Sequence, residues 1–170
     1  EEGFDGRIVL IGAERERPYE RPPLSKDYLR GEAEREKVYV HAAAFYADRD
    51  IEIRLGRAAE ALDRAARTVT VDDGERLGYD RLLIATGAEP RRPPIPGGQL
   101  EGVHHLRTVE DSDALRARLD SGGSVVVVGA GWIGCEVAAS ARLRGLEVTV
   151  IDPLSVPLER VLGPEMGAVY

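Results

Sequence analysis

The stretch from Ser124 to Asp152 constrains the fold of this chain more than any other. A β-branched strand over residues 124–128 runs into Gly129-Ala130-Gly131-Trp132-Ile133-Gly134, a G-x-G-x-x-G turn. Helical spacing follows over residues 135–144, Gly145 stops it, and residues 146–151 read as a second strand that ends at Asp152. Strand, glycine turn, helix and strand in that order make a βαβ unit with parallel strands. The glycines divide the work. Gly129 permits the tight turn, Gly131 lets the backbone approach a pyrophosphate, and Gly134 brings the helix against the strand, so that free helix N–H groups meet the negative charge. Trp132 and Ile133 belong to the same cofactor-binding turn. A glycine motif alone reads equally well as a flexible loop; the whole unit, closed by an acid about 20 residues on, carries the dinucleotide reading. Asp152 is expected to accept ribose hydroxyls. Its carboxylate repels a 2′-phosphate and no arginine occupies the five positions after it, so NADH is expected rather than NADPH.

Upstream, residues 7–12 form another β-branched run that stops at glycine, as a buried parallel strand does at a ligand-facing edge. Pro18, Pro22 and Pro23 then prevent a continuous helix, leaving room for a short helical turn over residues 25–31. A helix is expected through residues 41–49 and a strand over residues 51–55. Two short strands are expected within residues 59–80, with Asp73-Gly74 as the hairpin turn, making a small β-meander. Residues 79–87 read as a further buried strand ending at a small-residue loop. Prolines and glycines crowd residues 88–102, which places an interdomain crossing there. Residues 111–119 have helical spacing, stopped by Ser121-Gly122-Gly123. The fold class is therefore α/β, with an interdomain crossing near residues 88–102 and a dinucleotide-binding βαβ unit after it.

Composition narrows the functions. A length of 170 residues fits one domain or slices of two. A net charge of -7 argues against nonspecific nucleic-acid binding, which draws its affinity from neutralising phosphates. No apolar run reaches the roughly 20 residues of a membrane-spanning helix, and no secretory signal is expected. Cys135 is the one cysteine, so no internal disulfide, redox dithiol or four-cysteine metal site can form, and a reducing, cytoplasmic compartment is expected. His41, His104 and His105 lack metal-ligand spacing.

Several blocks occur in a telling order: Gly12-Ala13-Glu14, then Pro18-Tyr19-Glu20-Arg21-Pro22-Pro23-Leu24-Ser25-Lys26, then Tyr79-Asp80-Arg81-Leu82-Leu83-Ile84-Ala85-Thr86-Gly87, Leu106-Arg107-Thr108, and the run from Gly129 to Glu136. Together they closely resemble the FAD-dependent ferredoxin reductases, the family of putidaredoxin and rubredoxin reductases. The resemblance implies that NADH reduces FAD by hydride transfer and that the flavin passes electrons singly to an iron–sulfur ferredoxin or a rubredoxin within an oxygenase chain. It also implies parts of two Rossmann-like dinucleotide-binding domains, with residues 1–100 a partial FAD-binding domain and residues 101–170 the start of an NAD-binding domain, and it implies site residues. Glu14 resembles the acid that holds the FAD ribose, although Ala13 stands where relatives often carry it. Arg21 and Lys26 resemble the flavin-contacting cations, Ala59 the backbone contact to adenine, Ala85, Thr86 and Gly87 the loop beside the flavin, and Arg107 the FAD-binding arginine. Glu136 matches the glutamate near the nicotinamide, which makes Lys26 and Glu136 the expected catalytic pair.

Alternatives stay open. Lys26 and Glu136 form either a catalytic pair, in which the carboxylate keeps the lysine charged beside the flavin N5 and orients the nicotinamide amide, or a structural ion pair. Trp132 packs over the dinucleotide or covers the crossing. Val156 replaces an arginine that relatives frequently use to grip NADH. Arg91-Arg92 reads as a solvated surface pair or as a contribution to docking. The family's first strand and glycine loop would precede Gly3, so the chain is read as an internal portion. It is then either part of a reductase or a piece without activity of its own, with a quinone or dioxygen as the alternative electron acceptor.

Overall fold

A computed structural model describes residues 3–170, so the first two residues of the expected first domain lie outside it. The described residues form a mixed α/β structure in two compact units.

One unit runs up to Tyr19 and then from Tyr39 to Ala88. Its first strand, β1 (Ile8–Gly12), stands where the β-branched run requires it. The chain leaves after Tyr19 on an excursion that carries α1 (Asp27–Arg30), and returns at Tyr39, where Tyr19 and Tyr39 form an isolated antiparallel bridge. The helix expected over residues 41–49 shrinks to α2 (Ala44–Ala47). Its N-cap is Ala43, which offers no side-chain oxygen to the first turn, so nothing extends it upstream. β2 (Ile51–Leu55) then pairs parallel with β1, Ile8 opposite Ile51 and Gly12 opposite Leu55. β1 is half-exposed rather than buried.

The meander has three strands where two were expected: β3 (Ala59–Asp63), β4 (Thr68–Val71) and β5 (Arg76–Gly78), all antiparallel. The Asp73-Gly74 turn is present, with Gly74 at φ 84° and its N–H bonded to the carbonyl of Val71. Val69 and Val71 alternate inward on β4, as a half-buried strand should.

The strand expected over residues 79–87 does not form. Leu83 is 86% exposed and Ile84 65%, in chain that belongs to no sheet. An apolar run satisfies only half of what a strand needs. Its N–H and C=O groups also require a ladder partner, and no strand among the described residues supplies one. Residues 88–102 hold no helix or strand, as their prolines dictate.

The second unit takes residues 20–38 together with residues 89–170. The sequence division at residue 100 follows chain order, whereas this unit draws in the proline-rich excursion. Its frame is the βαβ: β6 (Ser124–Val128) and β7 (Glu147–Ile151) are parallel, joined through α4 (Trp132–Leu143). Before it runs α3 (Val109–Asp120), started by a capping box in which the Thr108 hydroxyl accepts from the Asp111 N–H and the Asp111 carboxylate accepts from Thr108. Leu115 and Leu119 of α3, Val137 and Ala141 of α4, Leu146 and Leu29 make the core, with Val125, Val127 and Val148 packed on it. Leu29 comes from α1, so the excursion is tied in by apolar burial. After β7, a loop leads to α5 (Glu159–Gly167), kinked where Gly163 (φ 78°) precedes Pro164. No helix among the described residues is long and apolar enough to cross a membrane.

Candidate functional site

The glycine turn has the geometry its residues promise. Gly129 sits at φ 110°, which a side chain would resist, and its N–H extends the ladder to the carbonyl of Ile151 at 2.8 Å. Gly131 is the N-cap of α4 and contributes no capping side chain, so the first-turn amides have no side-chain acceptor at that position. A Cβ added at Gly131 would meet no atom within 4 Å, which leaves open space in front of those amides. At Gly134 the opposite holds: a Cβ would run into the carbonyl of Gly129. Open space, amide donors and helix polarity together suit an anionic pyrophosphate, so the residues present fit a dinucleotide. The helix begins at Trp132, one turn before the expected residue 135, because Gly131 can itself serve as N-cap. Trp132 and Ile133 therefore lie in the first helical turn, both about half exposed, and the Trp132 ring stands edge-on to Tyr170 with centroids 6.2 Å apart.

Asp152 stands at the end of β7 as expected, but it also binds the turn itself. Its two oxygens accept the N–H of Ala130 at 2.7 Å and the N–H of Leu154 at 2.9 Å. These bonds, with a smaller favourable charge from Arg160, hold its carboxyl below the usual aspartate value. Ala130, which sequence reasoning passed over, is buried and also accepts from Leu158 N–H at 2.8 Å. Both of its backbone groups are thereby fixed by the segment after β7. Its position between two motif glycines is the only signal the sequence offers.

Lys26 and Glu136 are brought together. Lys26 Nζ lies 3.0 Å from Glu136 Oε1, the lysine side chain 45% exposed and the glutamate 27%. Lys26 follows a 3-10 turn (Pro22–Ser25), and Glu136 lies on α4. Ser25 Oγ donates to the other carboxylate oxygen, Oε2, at 2.5 Å. Arg21, ahead of the same turn, donates from Nη1 to the carbonyl of Arg107 at 2.8 Å, so these two expected cofactor residues meet through a side chain and a backbone group. Asp111 also accepts the Arg107 N–H at 2.9 Å, which fixes the backbone there. Two cations on a proline-stiffened turn, one of them half-exposed beside a carboxylate, are a donor set that fits a flavin ring's polar edge.

Three serine hydroxyls make contacts that residue order alone does not mark. Besides Ser25, Ser140 Oγ donates to the carbonyl of Ser25 at 2.7 Å and Ser112 Oγ to the carbonyl of Leu24 at 2.8 Å; all three are buried. For Ser112 and Ser140, a place on an otherwise apolar helix face is the one hint; for Ser25 it is the block that ends at Lys26.

The remaining expected residues belong to the other unit. Glu14 accepts the Tyr19 hydroxyl, Ala59 opens β3 opposite Val71, and Ala85, Thr86 and Gly87 lie in exposed chain, with Gly87 at φ 71°. Cys135 is unpaired, and burial, followed by the charges of Asp152 and Glu136, pushes its thiol up, opposite to a reactive thiolate. Among the described residues no group of three or more histidine, cysteine or acidic side chains could hold a metal.

Comparison with known proteins places the chain among described relatives. The chain is 42% identical over 168 residues to rhodocoxin reductase of Rhodococcus erythropolis, an alignment covering 99% of this chain and 39% of that protein. It is 46% identical over 167 residues to the biphenyl dioxygenase system ferredoxin–NAD(+) reductase component of Paraburkholderia xenovorans, covering 98% of this chain and 41% of the relative. Among solved structures, a ferredoxin reductase from Rhodopseudomonas palustris superposes with a TM-score of 0.92 at 38% identity, over 98% of this chain and 41% of that one. The chain thus spans about two fifths of the length of these relatives. Residues 2–170 match the family described as pyridine nucleotide-disulphide oxidoreductase, and the chain, with its Rossmann-like βαβ and glycine turn, belongs to that family.

Proposed function

We propose that this protein functions as a FAD-dependent NADH:ferredoxin or NADH:rubredoxin oxidoreductase feeding an oxygenase, in the cytoplasm. The observation that carries the reading is the Lys26–Glu136 pair at 3.0 Å, which sets a cation and a carboxylate beside the helix that the glycine turn begins. When bound, FAD would accept a hydride from NADH and release electrons singly to the iron–sulfur partner. This chain's residues supply the setting. Gly129, Gly131 and the first-turn amides of Trp132 and Ile133 take the NADH pyrophosphate. Asp152, kept ionised by its backbone bonds, takes the ribose hydroxyls and repels a 2′-phosphate, which selects NADH. Lys26 presents its ammonium to the flavin, and Glu136 holds that ammonium in place while orienting the nicotinamide amide. Glu14, Ala59, Ala85, Thr86, Gly87, Arg21 and Arg107 are the expected FAD contacts. Two of its relatives, a ferredoxin–NAD(+) reductase component and a rhodocoxin reductase, support the acceptor class.

Stopped-flow reduction of the flavin-loaded reductase by NADH tests the pair. Lys26→Met should slow hydride transfer by at least tenfold, and an unchanged rate would leave the ion pair merely structural. Mixing the reduced protein with a ferredoxin and with a quinone tests the acceptor. Faster oxidation by the quinone would overturn the ferredoxin assignment.

A further inference from the structure

Ser25 stands apart from the other buried polar groups because its hydroxyl points at the reactive pair rather than at backbone. It is 4% exposed, and its Oγ has two acceptors in reach: Glu136 Oε2 at 2.5 Å and the carbonyl of Pro22 at 3.5 Å. One hydroxyl proton serves one acceptor well, and the short bond to a carboxylate is the stronger. The Ser25 backbone is held independently. Its carbonyl accepts from Ser140, and the carbonyl before it, that of Leu24, accepts from Ser112. Glu136 and Ser140 are four residues apart on α4, hence on one face of the helix, so Ser25 is gripped at two points along a single stripe.

The consequence concerns orientation. Glu136 uses one oxygen for Lys26 and the other for Ser25, and two fixed bonds define a carboxylate plane where one leaves it free to turn. Lys26, 45% exposed on a flexible stem, takes its position from that carboxylate. We propose that Ser25 is a positioning residue for hydride transfer: its hydroxyl locks the Glu136 carboxylate, and through it the Lys26 ammonium. This rests on the reading of Lys26 and Glu136 as the working pair.

The chain contains only two lysines, Lys26 and Lys37, which gives a readout that needs no flavin. Competitive acetylation followed by peptide mass spectrometry measures Lys26 against Lys37 as internal reference. Ser25→Ala should raise the Lys26:Lys37 ratio severalfold, Glu136→Ala should do the same, and the double variant should add nothing further. In the flavin-loaded reductase, Ser25→Ala should slow hydride transfer by about tenfold, the worth of one hydrogen bond to a charged group, and cost little on a Glu136→Ala background. A Lys26:Lys37 ratio unchanged by Ser25→Ala would overturn the proposal, as would rate losses that simply add. Because the ratio is read against an internal lysine and the rate against a double-mutant cycle, a general loss of stability in Ser25→Ala would appear as additivity and count against it. If Lys26→Met leaves hydride transfer unchanged, the underlying reading fails instead, and the acetylation ratio separates the two failures.

Discussion

Replacing Gly134 by alanine sets helix propensity against packing, and the structure says which wins. Gly134 is the third residue of α4, where alanine would favour the helix by roughly 0.8–1.0 kcal/mol. Against that, the added Cβ would run into the Gly129 carbonyl, lying 3.0 Å from its carbon, where about 3.5 Å is the least that carbons tolerate comfortably. The obstacle is backbone, locked by the ladder bond from Gly129 N–H to Ile151, so no side chain can swing away. The helix must shift by at least ~0.5 Å off β6. Overpacking of this kind costs roughly 1–3 kcal/mol, and with a backbone neighbour the upper end applies. Subtracting the propensity gain leaves about 2 kcal/mol of net loss, or a fall in melting temperature of about 4–8 °C for a chain of this size. Gly131→Ala is the control: the new methyl meets nothing within 4 Å, so only the poorer N-cap counts against it, and melting should fall less than for Gly134→Ala while dinucleotide affinity falls. Thermal denaturation followed by circular dichroism, paired with calorimetric titration of NADH into the reductase, reads both. A Gly134→Ala protein that melts at or above the parent temperature would refute the packing argument.

Other outcomes follow from particular contacts. Asp152 has a folded pKa below its ordinary 3.8, so its contribution is present above that value and is lost as pH falls through the folded pKa; Asp152→Asn should flatten acid denaturation in that window while lowering stability at neutral pH, as pH-jump unfolding would reveal. Ser112→Ala should cost about 1–2 kcal/mol, because the carbonyl of Leu24 loses its buried donor; urea denaturation measures it, and an unchanged midpoint would contradict the hydrogen bond. Cys135, raised by burial and two neighbouring carboxylates, should react with iodoacetamide at pH 7 on the order of ten times more slowly than a free cysteine peptide, by mass spectrometry.

Much of the βαβ is legible in the amino-acid order. Its signals are local: β-branched runs, a glycine at the turn, a helix stop at Gly145 and an acid at the strand end all act within a few residues of themselves. The Asp73-Gly74 turn and the helix before Ser121 are legible for the same reason. Residues 79–87 mislead because an apolar run reports a tendency to be buried, while strand formation also needs a neighbour that no local pattern names. The three buried serines are invisible at that level because a hydroxyl's worth depends on which carbonyl or carboxylate the fold brings within 3 Å.

The division between the two levels is sharpest at Lys26 and Glu136. Local residue order dictates that a stiff, doubly prolyl turn carries a lysine, and that a glycine turn starts a helix with a glutamate in its second turn. That these residues, 110 positions apart, meet at 3.0 Å is the work of tertiary packing: Leu29 buried against α3 and α4, and Ser112 and Ser140 holding the carbonyls of Leu24 and Ser25. Backbone preference propagates over a few residues, whereas such a pairing depends on the burial of apolar surface contributed by distant segments.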